Sequence, residues 1–242
     1  MDEKPAKSYL HWDEKVVTDF SDGAVAALYE RGYVFTRKGR GVMQQTRSVR
    51  VDLSKLEPSS ENRRILKKMA GISLALEGLP LKGYDYTLGR DAKYFYDMKF
   101  GPGVMSAQKV KEMLTDPAKS NFNAFLTYSQ EGAGLGYAIC RQGAGLLHYS
   151  YPFYHIDRAP KDMGLGMMTM AIMWAKDAGK RHAYLGSLQR PGDAYKLQFA
   201  GLEWFDGERW RSDTEGAKQA LAGLPGTKKA AEGRPDTDGE PA

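Results

Sequence analysis

Apolar positions change their period as the chain advances. After a polar stretch with apolar points at Tyr9, Leu10, Trp12, Val16, Val17 and Phe20, Ser21-Asp22 can cap a helix through Ala24, Val25, Leu28 and Tyr29, which Gly32 ends. Tyr33-Val34-Phe35, Val42-Met43-Gln44-Gln45-Thr46 and Ser48-Val49-Arg50-Val51-Asp52-Leu53 read as strands, the first two joined by the basic turn Arg37-Lys38-Gly39-Arg40-Gly41. Pro58-Ser59-Ser60-Glu61 starts a second helix, with Ile65, Leu66 and Met69 as its apolar stripe and Arg63, Arg64, Lys67 and Lys68 facing outward. Residues 90–116 predict two helices interrupted by Gly101-Pro102-Gly103. From Asn123 the pattern becomes strands: 124–128, 135–140 and a tyrosine-rich 146–154, separated by glycine turns and read as an antiparallel meander. Met167, Ala171, Trp174, Ala175 and Ala178 then follow helical spacing until Gly179, and strands over 182–186 and 202–205 complete the series.

This order predicts an α/β (α+β) protein. A small basic α+β unit over residues 1–70 precedes a mixed, mostly antiparallel sheet flanked by helices over 71–212. Residues 213–242, rich in Gly, Pro, Lys and Glu, read as a mostly disordered tail with a short helix near 214–222. A chain of 242 residues has ample length for a core, and 42% hydrophobic with 27% charged residues is ordinary for a globular protein. No apolar run reaches the ~18 residues that span a bilayer. Met1-Asp2-Glu3-Lys4-Pro5 is unlike a secretory signal, so a cytoplasmic location with no membrane partner is expected. The lone Cys140 ends an apolar run and reads as a small buried hydrophobe. His11, His148, His155 and His182 lack metal-ligand spacing, so no metal site is expected. The methionines at 163, 167, 168, 170 and 173 read as adaptable core packing.

Charge adds a different kind of information. The net charge is +5, but residues 31–68 alone contain eleven Lys/Arg against three Asp/Glu. Such a concentration is either a solvated face or a surface for a polyanion.

Lys161-Asp162-Met163-Gly164-Leu165-Gly166 has the form basic-x-x-Gly-x-Gly at a helix start. There, backbone N–H groups and the helix dipole favour an anion. Acyl-CoA N-acyltransferases of the GNAT class hold a pyrophosphate on a similar turn. Strands on both sides of this helix make the 71–212 region look GNAT-like.

Several ordered motifs across residues 24–206 resemble the arginyl-tRNA–protein transferases and their bacterial leucyl-transferring relatives. They are Leu28-Tyr29-Glu30-Arg31-Gly32-Tyr33, Thr46-Arg47-Ser48-Val49-Arg50-Val51, and the helix start Pro58-Ser59-Ser60-Glu61-Asn62-Arg63-Arg64. They continue with Tyr154 to Asp157 leading to Gly164-Leu165-Gly166, then Trp174-Ala175-Lys176, Tyr184-Leu185-Gly186 and Tyr195-Lys196-Leu197-Gln198-Phe199. Two stretches depart from the family. Gly41-Val42-Met43-Gln44-Gln45 has no cysteine where the family carries a cysteine pattern, which removes any iron–sulfur role. The loop Ser187-Leu188-Gln189-Arg190-Pro191-Gly192-Asp193 lacks the family's Cys-Pro-Lys.

The resemblance implies transfer of an aminoacyl group from charged tRNA to the N-terminal α-amine of a protein or peptide, with aminoacyl-tRNA as co-substrate and no other cofactor. Because the ester is already activated, the protein must align the amine, keep it neutral and stabilise an oxyanion. Asp157, Tyr195 and Lys196 match family positions and, with His155 beside Asp157, are the catalytic candidates; Tyr154, Tyr184, Gln189, Gly164 and Gly166 are the substrate-binding ones. Arg37, Lys38, Arg40, Arg63, Arg64, Lys67 and Lys68 are the tRNA-binding candidates. Two other classes fit parts of the pattern. An acetyl-CoA-dependent GNAT N-acetyltransferase would use the Lys161 to Gly166 turn, and a non-catalytic RNA- or peptide-binding relative would keep the fold without the chemistry.

Overall fold

The computed structural model describes residues 10–223, so of the tail read over 213–242 the part from 224 onward lies outside the described residues, while the short helix expected near 214–222 is present. In chain order the elements are β1 (Asp13–Val16), α1 (Asp22–Glu30), β2 (Tyr33–Phe35), β3 (Val42–Gln45), β4 (Ser48–Asp52), α2 (Ser60–Lys68), β5 (Ile72–Gly78), α3 (Tyr86–Phe100) and α4 (Ala107–Thr115). There follow β6 (Ala124–Gln130), β7 (Ala133–Gln142), β8 (Leu146–His148), β9 (Pro152–Tyr154), α5 (Met163–Asp177), β10 (His182–Ser187), a 3₁₀ segment (Pro191–Gln198), β11 (Leu202–Phe205), β12 (Trp210–Arg211) and α6 (Thr214–Ala222).

Local chemistry starts the helices where the sequence places them. Ser21 caps α1 through the Ala24 amide. On α2, Ser59 and Asn62 form a reciprocal capping box, with Glu61 in the first turn and Lys67 and Lys68 in the last.

The architecture is mixed α/β, with a mostly antiparallel sheet flanked by helices. The large sheet runs β12-β11-β4-β10-β8-β7-β6-β5, with β9 added on β7; a small sheet orders β1-β3-β2. Strand β4, from the first 70 residues, is interior to the large sheet, between β11 and β10. The pair β8–β10 is its one parallel pairing among the described residues, and α5 connects the two strands.

Alternation along the strands builds two cores. Ala138 and Cys140 of β7 and Ala183 and Leu185 of β10 face α5, joined there by Met163, Met167, Met168, Ala171 and Ile172. Ile139 and Tyr184 face the other way, toward Val25 and Tyr29 of α1, the small sheet, and Phe95 and Tyr96 of α3. Helix α6 closes the first core with Ala217 and Leu221, and Trp204 donates its indole N–H to the Asp213 carbonyl. The expectation of a single strand over 146–154 is corrected: β8 stops at His148, β9 begins at Pro152, and Tyr151 between them adopts φ 35°. That break is where the candidate site opens.

Candidate functional site

The parallel strands β8 and β10 pair from Leu146/His182 to His148/Tyr184; one further bond, Tyr149 N–H to the Tyr184 carbonyl at 2.9 Å, closes the pairing. Beyond it β10 is irregular between Tyr184 and Ser187, where Gly186 takes φ 77°. A left-handed residue at this point favours glycine and turns the strand outward. The parting strands, the β2–β3 turn, α3 and the 3₁₀ segment enclose a cleft of about 490 Å³.

Arg37, Lys38, Arg190 and Lys196 line the cleft against a single carboxylate, Asp193. Lys196 is 8% exposed; its Nζ donates to the Ser187 carbonyl at 2.8 Å and lies 3.3 Å from Asp193 Oδ1. Burial pulls this ammonium below the ordinary lysine range, and Asp193 opposes the shift. The other oxygen of Asp193 accepts the Gln189 and Arg190 amides at 2.9 and 3.0 Å, which fixes the loop after β10. Tyr96, His148, Ser150 and Tyr195 line the same space. His148 is buried, its Nδ1 is 2.9 Å from the Tyr29 hydroxyl, and burial followed by the Lys196 charge pushes its pKa down to about 3. The Ser150 hydroxyl is buried and has no hydrogen-bond partner among the described residues.

Of the residues singled out in the sequence, Arg37, Lys38, Gln189, Tyr195 and Lys196 meet in this cleft. The Gln189 amide is committed to the fold, bonding both backbone groups of Leu10 as well as Thr46 and Ser187. Arg40 stands off the lining, with its guanidinium 3.5 Å from the centre of the Phe20 ring and bonded to the Ser120 carbonyl. Among the described residues neither Arg37 nor Arg40 has a carboxylate within ion-pair distance; Arg37 reaches Met105 Sδ and lies over Tyr151.

The remaining candidates lie elsewhere. Asp157 is exposed in the turn after β9. His155 is half-buried, 3.8 Å from Asp91 and edge-on to Tyr137. Tyr154 packs on Phe95 with ring centres 4.7 Å apart. Tyr184 points through the sheet toward a second cavity, of about 380 Å³ under α1, and accepts from Arg50 at 3.2 Å. Arg63, Arg64, Lys67 and Lys68 are exposed on α2, outside the cleft lining, with Arg64 bound to Glu61 and Lys68 to Asp162 at 2.5 Å. Gly164 and Gly166 begin α5, but the room at Gly166 is taken by packing, since a Cβ there would meet Met69 Sδ at 2.2 Å. The acidic Asp162 stands at the same helix start, its carboxyl held below the usual range by Lys68. No group of His, Cys, Asp or Glu among the described residues is arranged to hold a metal ion, and no described helix is long and apolar enough to cross a membrane.

Sequence reasoning passed over His148, Ser150, Tyr96, Arg190 and Asp193 as site residues. The signal available for His148 was a histidine ending a short apolar run, which reads equally well as core.

No family model matches the sequence, and no curated protein does. Among solved structures the chain is similar to L-PGS from Bacillus licheniformis, at 15% identity and TM-score 0.43 over 68% of this chain and 51% of that one. It is also similar to the C-terminal domain of a putative lysylphosphatidylglycerol synthetase from Agrobacterium fabrum, at 13% identity and TM-score 0.45 over 84% and 68%. A GCN5-related N-acetyltransferase from Kribbella flavida matches at 13% identity and TM-score 0.33 over 69% and 55%. The chain spans about half the length of the L-PGS structure.

Proposed function

We propose that the cleft between β8 and β10 transfers an aminoacyl group from charged tRNA to the α-amine at the N-terminus of a protein or peptide. The observation behind this reading is the buried Lys196 in a cleft lined by four cationic side chains and one carboxylate. A polyanionic donor suits that balance: Lys38 is paired with Glu14 at 3.2 Å, but Arg37 on the lining has no carboxylate within ion-pair distance among the described residues. The donor ester needs no further activation. Attack by the neutral amine gives a tetrahedral intermediate, whose collapse breaks the ester C–O bond; the ribose hydroxyl leaves with the proton the amine gives up. A buried ammonium beside the bound amine disfavours its protonation and so keeps the nucleophile neutral.

The acetyl-CoA alternative depends on the turn at Lys161 to Gly166. Asp162 places negative charge at that helix start, and Gly166 answers to Met69. Both observations favour the tRNA donor over a pyrophosphate on this turn. The test is transfer of a labelled amino acid from charged tRNA to peptides of defined N-terminus, with acetyl-CoA as the parallel donor. Aminoacylated peptide is the expected product. Acetylated peptide alone reverses the choice of donor, and binding of RNA or peptide with no product from either donor supports the non-catalytic alternative.

A further inference from the structure

The carbonyl oxygen of the acyl donor gains negative charge during attack and calls for a hydrogen-bond donor placed to receive it. The Tyr29 side chain is fully buried, and burial drives its pKa upward, so it stays a phenol with a proton to donate. His148 Nδ1, at 2.9 Å, is the one side-chain partner of its hydroxyl among the described residues, and the Phe35 backbone N–H also faces the Tyr29 oxygen. A buried donor must find its acceptor. The phenol proton therefore goes to Nδ1, which fixes the imidazole in the tautomer protonated at Nε2. His148 is the last residue of β8 before the strands part, and it lines the cleft. The one hydrogen bond of the His148 ring among the described residues is made by Nδ1, which leaves Nε2 on the cleft lining without a bond there.

We infer that His148 is a catalytic residue that donates its Nε2–H to the developing oxyanion of the acyl group, and that Tyr29 is the positioning residue that sets this tautomer. The amine nitrogen forms its bond to the carbonyl carbon, and the π pair moves onto the oxygen facing Nε2–H. That pair returns as the C–O bond to the leaving group breaks. The imidazole is unchanged at the end of the cycle. A neutral donor suits this task, since it needs no proton lost or gained as charge develops. Lys196 lines the same cleft and is close enough for its charge to act on the ring.

The inference rests on acyl transfer at this cleft but not on the donor, because ester and thioester donors pass through the same oxyanion. Two measurements test it. In ¹⁵N NMR of the histidine-labelled chain, His148 should show a protonated Nε2 and a bare Nδ1 from pH 8 down to pH ~5. Tyr29→Phe should mix the two tautomers. In the transfer assay, with whichever donor the chain accepts, His148→Phe should lower kcat by about 10²-fold with KM within about threefold. His148→Gln, which keeps an N–H at the ε position, should remain within about tenfold of the parent, and Tyr29→Phe should lose about tenfold in kcat. An Nδ1-protonated ring in the parent chain overturns the inference whatever the activity, and so does an active parent whose kcat survives His148→Phe. A chain that uses acetyl-CoA and not charged tRNA overturns the donor assignment while leaving His148 tested in the acetyl reaction. A chain that turns over neither donor overturns both.

Discussion

Two basic regions, nearly equal in the sequence, differ in what surrounds their charges. On α2 the cations are exposed, and two of them already have carboxylates: Arg64 with Glu61, and Lys68 with Asp162. Around the cleft, Lys38 is paired with Glu14 and the buried Lys196 with Asp193, Arg37 lies over the Tyr151 ring, and His148 is buried, while Arg40 stands off the lining on the Phe20 ring. An exposed, paired charge contributes little to stability and little field to a distant ligand. A guanidinium on a ring face, with no carboxylate, keeps most of its donors for an incoming anion, although one nitrogen of Arg37 is turned to Met105 Sδ and one of Arg40 to the Ser120 carbonyl. A count of charges in the sequence cannot separate the two cases.

The contrast is sharpest in acid. The fold holds His148 neutral with its pKa near 3, below the ordinary histidine value of 6.5. The unfolded chain takes up the proton first as pH falls, so this contribution is complete above pH 6.5 and is lost as pH drops toward 3. At pH 4 the loss is about 3 kcal/mol. Urea unfolding at pH 7 and pH 4 should show that part of the slope disappearing in His148→Phe. The exposed pairs of α2 should add little to it.

Arg37→Ala combined with Arg40→Ala should weaken tRNA binding by about 30-fold and shrink the log K against log salt slope by about 2. Arg63→Ala with Lys67→Ala should cost about threefold. Equal losses from the two pairs would erase the distinction, and a larger loss from α2 would invert it.

The two glycines at the start of α5 test whether that turn binds or packs. Gly166→Ala should cost about 1 kcal/mol net, because the clash with Met69 outweighs the better helix propensity of alanine. Gly164→Ala meets only ordinary contact, with Tyr154 at 3.5 Å, and should leave denaturant stability unchanged or slightly raised. If Gly164→Ala instead abolishes donor binding, the turn has a ligand role after all.

The smallest effect belongs to the junction of α2 and α5. Asp162→Asn removes the charge shared by Lys68 and Arg64 while keeping a residue that tolerates the φ of 68° here, and such an exposed ion pair is usually worth ~0–1 kcal/mol. The melting temperature should move by less than about 4 °C. Binding of tRNA should rise slightly if the freed cations can reach it.

The sequence by itself determined the helices and most strands, because their causes are local. Ser59 and Asn62 close a capping box within four residues, the 3.6 period of α5 lies within one segment, and the Gly101-Pro102-Gly103 break needs no distant partner. It also singled out Lys196 and Tyr195, through a resemblance to a family motif. The cleft was decided by tertiary structure alone. Its walls come from segments near residues 35, 96, 150 and 190, joined only when β8 and β10 pair in parallel and then part. Burial then set the chemistry: the same fold that leaves Asp157 in water encloses His148 and Lys196, and desolvation shifts their proton affinities. Desolvation depends on everything packed around a side chain, and no local pattern of residues encodes it.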